Sequence, residues 1–75
     1  MVKYIWDFRG EAALGISKHH AIHLQEFIQT KNLSNSSSGY EQLSDLHSIA
    51  YILSSKENLL LIRDSLKPNR AEKCL

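Results

Sequence analysis

Seventy-five residues with a net charge of +1 and one cysteine make one small α+β domain spanning 1–75, with no internal disulfide. Nine basic and eight acidic residues are interspersed, which makes nucleic acid unlikely as a partner and argues against a membrane surface. The longest purely apolar run, Leu59 to Ile62, falls far short of a membrane span.

Lys3, Asp7 and Arg9 interrupt the apolar N-terminal residues, so no signal peptide is visible. The location expected by exclusion is cytoplasmic. The lone Cys74 fits a reducing compartment and reads as an exposed, incidental thiol. A chain this short buries a marginal core, so a metal or a second chain is a common supplement.

Val2 to Phe8 alternates strictly and predicts a strand. Val2, Tyr4, Trp6 and Phe8 share one face, and Lys3, Ile5, Asp7 and Arg9 the other. Gly10 ends it. Glu11 to Leu14 reads as a short helical turn that Gly15 breaks.

Ser17 then serves as the expected N-cap of a helix running to about Lys31, with Asn32 as its stop. At about 100° per residue, Ile16, Ala21, Leu24, Phe27 and Ile28 gather on one face. Lys18, Gln25, Glu26 and Gln29 take the opposite one. His20 falls within the apolar face, His23 at its edge, and His19 further toward solvent. Ile22 falls on the polar side, where it marks a candidate partner surface.

Leu33 to Gly39 is small, polar and loop-like. Residues 40–53 allow two readings. As a helix, Tyr40, Leu43, Leu46, His47, Ala50 and Tyr51 form a stripe. As strands, Gly39 to Leu43 pairs with Leu46 to Leu53 across Ser44-Asp45. Ile49, Tyr51 and Ile52 favour the strand pair.

Ser54 with Glu57 fits a capping box opening a second helix. Leu59, Ile62 and Leu66 form its inner face, widened by Leu60. Leu61 and Arg63 face outward, and Pro68 closes it. Residues 69–75 are either a frayed tail or a last edge strand. The expected fold is thus a small antiparallel sheet with two helices on one face. The chain order is β-α-β-β-α, ferredoxin-like or split βαβ, with or without a C-terminal edge strand.

Tyr4-Ile5-Trp6-Asp7-Phe8, His19-His20 with His23-Leu24, His47-Ser48-Ile49-Ala50, and Arg63-Asp64 with Leu66, Pro68 and Arg70 form a set. That set resembles a small family of uncharacterised bacterial proteins of about this length. The resemblance implies a stand-alone bacterial domain and a strand over 47–53. It implies no named activity.

Two constellations carry candidate chemistry. His19, His20 and His23 lie within two turns of one helix, and i,i+3 or i,i+4 imidazoles can share a divalent transition metal. His47, on a strand, is the expected further ligand. Trp6, Asp7 and Arg9 form a second, ligand-binding candidate, in which Asp7 either pairs with Arg9 or orients a histidine of the following helix. No nucleophile elbow, phosphate loop or dinucleotide fingerprint is present.

The first functional expectation is a protein-interaction or self-associating module, working as a homodimer or on a partner protein. Its motives are the small core, the one-sided sheet and the surplus apolar Ile22 and Leu61. The second is a metal- or small-ligand-binding protein, with an enzymatic role left open.

Overall fold

The structure is a computed structural model that describes residues 1–73. Cys74 lies outside the described residues. Four strands and two helices follow one another as β1 (Val2–Arg9), α1 (Ala13–Thr30), β2 (Ser37–Ser44), β3 (His47–Ser54), α2 (Leu59–Leu66) and β4 (Arg70–Lys73). A 3₁₀ turn, Lys56–Asn58, leads into α2.

All neighbouring strands are antiparallel, and the sheet order is β2-β3-β1-β4. The α+β class and the antiparallel sheet are as the sequence predicts. The chain order extends by one strand, because residues 70–73 pair with β1 from Val2↔Lys73 to Ile5↔Arg70. In space, β3 separates β1 from β2, and β1 separates β3 from β4.

Both helices cover one sheet face. Val2, Tyr4 and Trp6 of β1 meet Ala50 and Ile52 of β3, Ala21, Leu24 and Ile28 of α1, and Ile62 of α2. Phe8, Leu33, Leu59 and Leu66 pack around this cluster. Two buried rings are anchored at their polar tips. The Tyr4 hydroxyl donates to the Ser55 carbonyl at 3.1 Å, and the Trp6 indole N–H to the Leu66 carbonyl at 2.8 Å. Each bond satisfies a polar group that burial would otherwise strand.

Helix α1 departs from expectation at its start. It begins at Ala13 and runs through Gly15, and Ser17 lies inside it. The Ser17 hydroxyl bonds back to the Leu14 carbonyl at 2.9 Å, and the residue is fully buried. Ser17, rather than Ile16, therefore fills the inner face one turn before Ala21, and Ile16 is exposed. Glycine costs a helix only about 1 kcal/mol, which the packing of the following turns overrides. Phe27, expected in the core, is half-buried.

The helix ends at the predicted place. Asn32 adopts φ 53°, while the Leu33 N–H bonds the Ile28 carbonyl and the Asn32 N–H bonds the Gln29 carbonyl. That is a Schellman closure with asparagine in the left-handed position.

Residues 37–54 form the strand pair and not the alternative helix. The turn is Asp45-Leu46, one residue later than expected, because a bulge between Gln42 and Ser44 inserts Leu43. Ser54 does not cap α2. It ends β3, buried, where its hydroxyl meets the Ser36 hydroxyl at 2.7 Å and accepts from Asn58 Nδ2 at 2.8 Å. Leu60, expected to widen the inner face of α2, is exposed.

No helix among the described residues is long and apolar enough to cross a membrane.

Candidate functional site

The strand register places odd-numbered β1 and β3 residues on the sheet face away from the helices. Asp7 and His47 are on that face, in adjacent strands. His47 Nε2 and Asp7 Oδ1 are 2.8 Å apart. Arg70 of β4 reaches the same carboxylate from the other side, with Nε to Oδ2 at 3.0 Å and Nη2 to Oδ1 at 3.2 Å. Arg70 Nη1 also contacts Glu72 at 3.3 Å. The Asn69 side-chain carbonyl accepts from the Asp7 backbone N–H at 2.8 Å.

Asp7 thus sits at the centre of a His–Asp–Arg chain. The Arg70 hydrogen bonds, aided by His47, hold its carboxyl below the usual carboxylate range against the opposing effect of burial. Arg70, not Arg9, is the partner. Arg9 lies opposite His47 in the register and makes no ion pair among the described residues. A fork-shaped guanidinium arriving from the next strand meets both carboxylate oxygens.

The same network closes the outer face. Ile5 and Ile49 project there yet are only 1% and 2% exposed. Tyr51 and Arg70 flank Ile5, and Asp7 and Glu41 flank Ile49. Lys3 spans Tyr51 and Glu41, its ammonium 4.6 Å from the ring centroid and 3.7 Å from the carboxylate. Long charged side chains cover apolar surface with their stems in this way. Gly39 makes room for the Tyr51 ring, since a Cβ there would stand 2.6 Å from its hydroxyl.

The sheet divides the four histidines. His47 is on the outer face. His20 is on the helix face, edge-on to Trp6 and Phe8 with both ring centroids at 5.4 Å. His19 and His23 are together on the exposed side of α1, Nε2 to Nε2 at 3.0 Å. His47 therefore cannot complete a site with the helix histidines. Among the described residues, no group of three or more His, Cys, Asp or Glu side chains is arranged to hold a metal. Trp6 is likewise parted from Asp7 and Arg9, because it faces the core.

His20 Nε2 is buried without a hydrogen-bond partner among protein groups. Burial, and then the charges of His23 and His19, push its pKa below the ordinary imidazole value. The folded state thus favours neutral His20. Its contribution to stability is present above the unfolded pKa of about 6.5 and is lost as pH falls through the lower folded value. In metal-free buffer, the His20 ring protons should titrate below pH 6.5 by NMR, and His20→Phe should weaken the loss of stability as pH falls below about 6.5. Titration at or above 6.5 would contradict this environment.

A third feature was not legible in the sequence. A cleft of about 340 Å³ runs between α1 and the edge strand β2, lined by Lys18, Ala21, Ile22, Gln25, Ser38, Gly39 and Tyr40. Ile22 and Tyr40 are 60% and 45% exposed, so its apolar wall faces solvent. Ser38 ties the floor together, its hydroxyl bonding the Ala21 carbonyl at 3.1 Å and Gln25 Oε1 at 3.0 Å. Only the exposed Ile22 hinted at it from sequence. The cleft needs the β2–α1 packing to exist.

Fold and surface together define a small α+β protein with a self-covered outer sheet face and an apolar cleft beside an open sheet edge. Scans of protein-family models, curated proteins and solved structures find no match to the chain.

Proposed function

We propose that this protein is a self-associating module whose copies join through the edge strand β2. The observation that carries the reading is the free edge of an eight-residue strand lying beside the apolar Ile22–Tyr40 cleft. The outward backbone N–H and C=O groups of an edge strand are a template for another strand. None of the described hydrogen bonds outside the strand ladder uses a β2 backbone group. The opposite edge, β4, is four residues long and carries Arg70, Glu72 and Lys73, the usual protection against pairing.

Matching faces restrict the register. Ser38, Tyr40 and Gln42, on the β2 stretch before the bulge, face the helices, so an antiparallel copy must place even opposite even along that stretch. A two-fold through Glu41 sets like charges opposite each other, which is unfavourable. A two-fold through Tyr40 sets Tyr40 opposite its copy, Ser38 opposite Gln42 and Gly39 opposite Glu41. The two Tyr40 rings and the two Ile22 side chains then cover one another's exposed surface, and the sheets form one eight-stranded sheet. The βαββαβ order, with its two interleaved split βαβ units, supports a ferredoxin-like fold for each copy.

Sedimentation equilibrium at micromolar concentration should give twice the chain mass of 8.6 kDa. Ile22→Glu and Tyr40→Glu should each sediment as folded monomers. In a Cys74→Ser background, Tyr40→Cys should form a disulfide-linked dimer under mild oxidation. A monomeric wild type overturns the reading. A dimer that survives both glutamate substitutions removes β2 from it.

A further inference from the structure

We propose that His19 and His23 form a chelating site for a divalent transition ion of tetragonal preference, Cu²⁺ or Ni²⁺. The pair stands one helical turn apart in the middle of α1, exposed and away from the core. The Nε2 atoms are 3.0 Å apart, with ring centroids at 4.6 Å and planes at 80°. Both rings are exposed, so a small rotation of either brings the two nitrogens to about 2.0–2.1 Å from one ion. The affinity order of divalent ions for nitrogen ligands rises through Ni²⁺ to Cu²⁺ and falls at Zn²⁺, and two imidazoles with water in the remaining positions suit the square-planar or tetragonal geometry of Cu²⁺ and Ni²⁺.

A second, independent contact prepares the pair. Glu26 Oε1 lies 3.1 Å from His23 Nδ1. The carboxylate stands beside the imidazole, where its negative charge favours a cation bound to that ring. On binding, each ring carries its proton on Nδ1, and both Nε2 lone pairs meet the ion. Water completes the coordination. His20, although adjacent in sequence, points the other way against Trp6 and Phe8, so the site uses two histidines of the four.

The test is Ni²⁺ calorimetry and Cu²⁺ paramagnetic resonance on untagged protein near pH 7.5. The expected result is one equivalent bound, with hyperfine coupling from two equatorial nitrogens. His19→Ala and His23→Ala should each weaken binding at least tenfold, and Glu26→Gln by less, because it removes only a neighbouring charge. The helix should stay intact by circular dichroism in every variant, because all three side chains are exposed. Wild type binding no more tightly than the His19→Ala/His23→Ala double variant overturns the site. A strong tetrahedral Co²⁺ spectrum that needs both histidines overturns the tetragonal assignment.

Discussion

Leu24→Ala is expected to lower the free energy of unfolding by about 3–5 kcal/mol, the range for truncating a large aliphatic side chain in a tight core. Leu24 is fully buried at the meeting point of α1 with the sheet, in one cluster with Tyr4, Ile52 and Ile62. Alanine removes three carbons and leaves a hole that two strands and two helices would have to collapse to fill. A domain of this length has roughly 4–11 kcal/mol in total, so this one truncation removes a large share of it. Phe27→Ala, at a half-buried position on the same helix, should cost clearly less despite the larger side chain. Urea titration followed by circular dichroism measures both. A Leu24→Ala loss under about 1 kcal/mol, typical of surface sites, would mean that α1 does not pack as described.

Asp7→Ala is expected to cost about 2–3 kcal/mol, the scale of hydrogen bonds to a charged group. The carboxylate receives Arg70 through two nitrogens and His47 through one. Arg70 is 42% exposed at its side chain and can return to water, whereas His47 is 18% exposed and loses its partner in place. Asp7→Asn keeps the shape and one acceptor, so its cost should be smaller.

The same carboxylate shapes the acid limb of the stability profile. Its folded pKa is lowered, chiefly by the Arg70 hydrogen bonds. Its contribution is therefore fully present above the unfolded value of about 3.9. It disappears as pH falls through the lower folded value. Urea midpoints between about pH 2 and 6 should fall less steeply for Asp7→Asn than for wild type. Parallel profiles would show that the network contributes nothing to folding.

Strand β1 was legible because its signal is local. Strict alternation of Val2, Tyr4, Trp6 and Phe8 with Lys3, Ile5, Asp7 and Arg9 assigns both faces without knowledge of the neighbours. The end of α1 was legible for the same reason, since Asn32 is one of the few residues that tolerates the left-handed closure. The β-branched and aromatic residues of β3 decided between strand and helix at 47–53.

The start of α1 escapes local rules because capping and glycine preferences are weak. Burial of Ala13 and Ser17 against the rest of the chain outweighs them. The same override moves Ser54 from a cap to a buried hydroxyl bridge. The i,i+4 contact of His19 with His23 follows from helix geometry alone. That His20 and His47 end on opposite faces of the sheet does not. Periodicity assigns a residue to a face of its own element, while the pairing of β1 with β3 decides which face looks toward the helices. Arg70 meets Asp7 only because β4 adds to the edge of β1, sixty-three residues away in the chain. The cleft beside β2 is likewise a property of two packed elements. Local chemistry determined the elements of this protein, and long-range strand pairing determined which of its polar groups meet.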